Sequence, residues 1–176
     1  QTADIDLEHD EAFTGLCTGD DKTDKFQGHY DGGGHTIDNM KLNFVVWDTP
    51  PSGNKYGSLG DNNIYKGFIG VLAKQGSVSN LTIGAGSDLQ FTGYAGAFVG
   101  YCYGKVINCK NYAKITNYTS TTGGIVGSSL AGSEIRDCFN AGEVLGGTTN
   151  VGGIVGTAVG VIENCQNVGW VETKKL

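Results

Sequence analysis

Proline, methionine, histidine and tryptophan are scarce: the chain has 2, 1, 3 and 2 of them in 176 residues. So little proline excludes a collagen-like or polyproline architecture. No apolar run approaches the roughly 20 residues that would cross a bilayer as a helix, so membrane insertion is not expected. No positively charged segment followed by an apolar stretch opens the sequence. It begins Gln1-Thr2-Ala3 and reads as a piece of a larger parent, whose own targeting is therefore not legible here. Basic residues are outnumbered, 12 Lys and Arg against 18 Asp and Glu, for a net charge of −6. An acidic chain without a basic stripe is a poor partner for nucleic acid or an anionic membrane. The acidity is uneven: residues 1–48 carry a net −8 and residues 49–176 a net +2.

What the chain has in excess is glycine, 30 of 176 residues. That is more than twice the usual share of about 7%, and with regular Val and Ile it points to many tight turns joining short strands. No helical stripe of apolar residues is present in residues 65–176. Self-similarity supplies the period instead. Gly123-Gly124-Ile125-Val126-Gly127 and Gly152-Gly153-Ile154-Val155-Gly156 are identical. Gly96-Ala97-Phe98-Val99-Gly100 and Lys66-Gly67-Phe68-Ile69-Gly70 are weaker copies, and the closing glycines step by 30, 27 and 29 residues.

A second series runs in phase with the first. One column reads Asn39, Asn80, Asn108, Asp137, Asn164, and the next Met40, Leu81, Cys109, Cys138, Cys165. Two positions before the Asn column stand Ile37, Val78, Val106, Ile135 and Ile162. Two positions after the apolar column stand Leu42, Ile83, Asn111, Asn140 and Asn167. Apolar pieces of two to five residues are too short to be stable strands alone. Stacked copies are stable because every backbone N–H and C=O pairs with the coil above and below, at a spacing of about 4.8 Å. Asn and Asp suit the corners, since they tolerate left-handed dihedrals and bond nearby backbone. Cys, Met and Leu suit the interior.

The expected fold is therefore all-β: a single parallel β-solenoid of about five coils over residues 1–176, with one inserted loop. Residues 1–42 form modified first coils and residues 66–176 the tandem repeats. The segment Asn43 to Tyr65 breaks the period and holds both prolines, so it reads as a protruding loop. Upstream, Thr2 to Leu7 reads as a strand, and Phe26 to Ile37 as strand, glycine turn, strand.

The Gly-Gly-Ile-Val-Gly units, each followed by an Ile-x-Asn-Cys-x-Asn type strand, resemble the GLUG repeat. The block from Thr2 to Met40 is similar to the segment that commonly precedes such repeats, so the resemblance covers nearly all of the chain outside 43–65. It implies a repeat module of large secreted or cell-surface proteins of host-associated bacteria, found in adhesins and in IgA-cleaving metallopeptidases outside their catalytic part. It implies a β-helix-like solenoid and brings no catalytic residues with it.

The residues offer little chemistry of their own. Glu8-His9-Asp10-Glu11 has no second histidine, so no zincin motif exists. His29 and His35, with Asp31 between them, are a weak metal signal, and no metal or other cofactor is expected. Asp20, Asp21 and Asp24 do not match a calcium-loop spacing. Five cysteines, Cys17, Cys102, Cys109, Cys138 and Cys165, leave at least one thiol free, and a Cys17–Cys102 pairing stays open. Asp4, Asp6, Asp31 and Asp38 cluster near the N-terminus, and Lys41 is in register with them. They carry the alternative reading, a polysaccharide lyase or hydrolase. The favoured reading is a non-enzymatic surface or secreted module, adhesive or spacer, with host glycan or protein as ligand. Trp47, Tyr56 and Tyr65, in or beside the loop, are its candidate ligand-binding residues. Tyr101, Tyr103, Tyr112 and Tyr118 add aromatics on nearby coils. Nothing after Val171 resembles a cap, so the expected partners are flanking domains of the parent or a second copy joined end to end.

Overall fold

The computed structural model describes residues 1–9, 13–17, 23–43, 65–147 and 149–173. Among these every regular element is a strand of two to four residues, and every strand pairing is parallel. The fold is a β-solenoid of about five turns, as the repeat requires. Each full coil contributes one strand to each of five stacked sheets. The first sheet stacks His29–Asp31, Ser77–Ser79, Lys105–Ile107, Glu134–Arg136 and Val161–Glu163. The second stacks Ile5–Asp6, Thr36–Asp38, Thr82–Ile83, Lys110–Asn111, Phe139–Asn140 and Gln166–Asn167. The third runs from Lys41–Asn43 through Asp88–Phe91, Lys114–Asn117 and Val144–Gly146 to Val171–Thr173. The fourth and fifth begin at Tyr65–Lys66 and Ile69–Leu72 and end at Val151–Gly152 and Val155–Ala158.

The interior is built by like residues lying on like. Val78, Val106 and Ile135 are fully buried one above another, and so are Leu89, Ile115 and Val144. At about 25 cal/mol per Å², each such side chain contributes about 1.5–3 kcal/mol on burial. The repeated glycines let the fourth and fifth sheets approach closely. A Cβ on Gly123 would stand 2.0 Å from the Val126 carbonyl oxygen, and one on Gly96 would stand 2.7 Å from the Gly127 nitrogen. No side chain fits there, which is why the motif recurs.

The expected Asn column holds for four of its five members. Asn80, Asn108, Asp137 and Asn164 occupy one corner on successive coils, all left-handed with φ of 52–54°. Asn108 Nδ2 donates to Asn80 Oδ1 at 2.8 Å, and Asn164 Nδ2 to Asp137 Oδ1 at 3.2 Å. The upstream extension of the columns is corrected by the structure. Ile37 pairs with Ile83, not Val78, and Leu42 pairs with Leu89, not Ile83. Tyr30 takes the place beside Val78. Asn39 has the same left-handed backbone, φ 52°, but at the following corner, where its Nδ2 donates to Asp6. The reason is that the block Ile37-Asp38-Asn39-Met40 has the same local chemistry as Val78-Ser79-Asn80-Leu81, while hydrogen bonding across coils assigns it to a different face. The expected inserted loop between the strand residues Asn43 and Tyr65 lies outside the described residues.

The described residues among 1–28 pack against one end of the solenoid. Ile5 pairs beneath Ile37, and Leu16 and Phe26 bridge to Ile69 and Leu72. Phe13 and Tyr30 stack against Phe68, with ring centroids 6.1 and 5.0 Å away.

Candidate ligand-binding surface

Of the three candidate aromatics, Trp47 and Tyr56 lie outside the described residues. Tyr65 is described, and it is not the exposed ring expected: it is 1% accessible. It sits in the fourth sheet directly beside Tyr94, centroids 5.5 Å apart, and packs on Tyr101 at 4.6 Å. Tyr101 in turn meets Tyr94 and Tyr103 edge-on at 5.8 and 5.4 Å. Tyr94, Tyr101 and Tyr103 are partly exposed, and Lys25 Nζ lies 4.6 Å from the Tyr103 ring centroid. Such a contact of cation and ring face is attractive in its own right. The result is a strip of aromatic edges and faces, held rigid from behind by Tyr65.

The other expected aromatics are placed elsewhere. Tyr112 is exposed and pairs with Phe139 at 5.9 Å, while the Tyr118 hydroxyl donates to Gln90 at 3.4 Å. The residue that sequence reasoning passed over is Tyr94. Its signal was present: it stands one repeat after Tyr65, in the same column.

The N-terminal acids each serve a turn. Asp4 accepts from the Thr36 amide at 2.8 Å and contacts His35 Nδ1 at 3.3 Å. Asp6 accepts from the Glu8 amide and Asn39 Nδ2, both at 2.8 Å. Asp31 accepts from the Gly33 amide at 2.9 Å and Asn80 Nδ2 at 3.0 Å. Asp38 accepts from the amides of Asn39 and Gly86 at 2.9 Å. Hydrogen bonds to the charged form favour it. The Thr36 amide thus holds Asp4 below the usual carboxylate range, Asn39 does so for Asp6, and the Gly33 amide for Asp31. These are ionised acceptors, whereas a general acid needs its pKa raised. His29 Nδ1 is 2.9 Å from Ser77 Oγ, and among the described residues no three His, Cys, Asp or Glu side chains converge as a metal site.

All five cysteines are free thiols, including Cys17 and Cys102, whose pairing the sequence left open. Cys109 and Cys138 are buried in one column, with Cys165 above them. Each faces the carbonyl two residues back, with Cys138 Sγ 3.1 Å from Arg136 O. Burial raises the Cys102 thiol to about 12, and hydrogen bonding with Cys109 raises Cys138 to about 12. Thiols held protonated are inert as nucleophiles.

No sequence family, curated protein or solved structure was found to match the chain.

Proposed function

We propose that this chain is a non-catalytic, adhesive module of a larger cell-surface or secreted bacterial protein, related to the GLUG repeats, presenting a rigid wall to a glycan or glycoprotein. The observation that carries the reading is the tyrosine strip Tyr94–Tyr101–Tyr103, partly exposed and backed by buried Tyr65. Aromatic faces on a stiff support hold sugar rings with little loss of side-chain entropy. Lys25 beside Tyr103 adds a cation that suits acidic or hydroxyl-rich sugars. Asp4, Asp6, Asp31 and Asp38 favour the same reading, because each already accepts hydrogen bonds within the first coils. Trp47 and Tyr56 are proposed to extend the surface.

The test is a screen of the chain against immobilised mucin glycans and acidic polysaccharides, read by binding and by turnover. Binding without turnover is expected, weakened at least tenfold in Tyr94→Ala and Tyr103→Ala and further in Trp47→Ala and Tyr56→Ala. Binding that none of these changes weakens would sink the aromatic surface, and no binding at all would leave a spacer. Turnover abolished by Asp31→Ala would replace the reading with an enzymatic one.

A further inference from the structure

The tyrosine strip continues along the solenoid axis as a polar one. Thr121 lies above Tyr94, and Asn150 above Thr121, because Thr122 pairs with both Ala95 and Val151. In the fifth sheet Ser128 pairs above Tyr101, and Thr157 above Ser128. The two columns face each other. Tyr94 and Tyr101 meet edge-on at the lower rung, centroids 5.8 Å apart. At the upper rung Asn150 Nδ2 donates to Thr157 Oγ1 at 2.9 Å. The rung between them is Thr121 and Ser128. Thr121 is only 4% exposed and Ser128 6%, and neither hydroxyl has a hydrogen-bond partner among the described residues. No unpartnered side-chain nitrogen or oxygen among those residues is fully enclosed, so both hydroxyls still reach the surface. A polar group that has given up most of its water without gaining a partner costs stability and calls for an explanation.

We propose that these three rungs form one groove for a linear, neutral oligosaccharide of at least three sugars, laid along the solenoid axis. The inference rests on the glycan-binding reading and narrows it from a patch of rings to a chain with a fixed course. Coils stack at about 4.8 Å, close to the advance of one pyranose ring in an extended chain. One sugar therefore falls on each rung. The first stacks on Tyr94 and Tyr101, whose rings are already held by Tyr65. The second brings its hydroxyls to Thr121 and Ser128 and supplies their missing partners. The third meets the Asn150 amide and the Thr157 hydroxyl, which offer donors and acceptors alike. None of the six side chains is charged, so the rungs suit neutral sugars, while Lys25 stands to one side at Tyr103. The middle rung has lost its water before any ligand arrives, so hydrogen bonds gained there are not offset by that loss.

The experiment titrates the chain with linear N-acetyllactosamine oligomers of one to six sugars, read by calorimetry and by amide chemical shifts. Affinity is expected to rise about tenfold or more between one sugar and three, then to level off. The amides of Tyr94 and Tyr101 should shift with every oligomer, and those of Thr121 and Ser128 only from two sugars upward. Ser128→Ala and Thr121→Val should each weaken the trisaccharide about threefold or more and leave the single sugar unchanged, whereas Tyr94→Ala weakens both. Affinity independent of length, or shifts at Tyr94 and Tyr101 with none at Thr121 and Ser128, would overturn the axial course and leave the aromatic surface standing. No binding by any oligomer would also overturn it, and the mucin and polysaccharide screen then decides the broader reading separately. The shifts on the unaltered chain settle the course even where a substitution loosens its coil.

Discussion

Asparagine is the residue on which this fold turns, and it works in two ways. At the outer corner Asn80, Asn108 and Asn164 take a left-handed backbone that costs most residues about 1–2 kcal/mol, and their amides bond neighbours along the column. Asn111 and Asn140 are fully buried and form a second ladder running the other way. Asn140 accepts from Asn111 Nδ2 at 2.8 Å and donates to Gly142 O at 3.0 Å as well as to Asn167. No buried side-chain nitrogen or oxygen among the described residues lacks a partner. Removing the middle rung therefore strands groups on both sides, at about 1–3 kcal/mol each. Asn140→Ala should cost about 2–4 kcal/mol in urea unfolding, and Asn167→Ala, at the exposed end of the ladder, less than about 1 kcal/mol. Equal losses would show that the buried ladder is not the source of the stability assigned to it.

At the scale of the element, strands of two to four residues are fixed by their turns. Gly123 and Gly132 separate two reasons for glycine. A Cβ on Gly123 meets the Val126 carbonyl at 2.0 Å and the Gly156 nitrogen at 2.8 Å, both backbone atoms that cannot swing away. Gly132 has nothing within 4 Å, but its φ is +85°. Gly123→Ala should cost more than about 3 kcal/mol or prevent folding, and Gly132→Ala only about 1–2 kcal/mol, by thermal or urea unfolding. Comparable losses would mean that the close approach of the two sheets relaxes easily. This contact also explains what the sequence made legible. Gly-Gly-Ile-Val-Gly is repeated because the same backbone approach recurs on each coil, so the period and the solenoid could be read directly. Register in the first coil could not. Asn39 and Asn80 have nearly the same φ and similar neighbours, so the local pattern marks a corner without saying which one. The buried Asn ladder was visible as a column at Asn111, Asn140 and Asn167, and its continuation downward as Ile83 marks it as inward-facing, but the pairing of Ile83 with Ile37 came only from the structure. The tyrosine strip was half-legible: Tyr101 and Tyr103 were noted, whereas Tyr94 belongs to it only through pairing across coils.

For the whole molecule, a stack of coils has a stability that varies along its axis, because each coil touches only its neighbours. Charge is distributed unevenly along the same axis. In the upper coils, cations and acids alternate up the columns, with Lys105 on Glu134 at 2.9 Å and Lys114 on Glu143 at 2.8 Å. In the first coils, Asp4, Asp6 and Asp31 hold turns through hydrogen bonds from Thr36, Asn39 and Gly33. All three have pKa values below the ordinary 3.8, and Glu134, bonded by Lys105, lies below its ordinary 4.5. A depressed carboxylate is protonated more readily in the unfolded chain than in the folded one. Its contribution is therefore complete above the ordinary value and is lost as pH falls through the folded value. Because three of these four groups lie in residues 4–31, acid should loosen the N-terminal end first. Hydrogen exchange below about pH 4 is expected to expose the amides of 5–7 and 36–38 while those of 106–138 remain protected. Asp4→Asn, Asp6→Asn and Asp31→Asn together should flatten the acid limb of the melting temperature. Were the N-terminal end to keep its protection to pH 2.5, or were the triple variant to melt with an unchanged acid limb, the turns would be held by backbone geometry rather than by ionised aspartates.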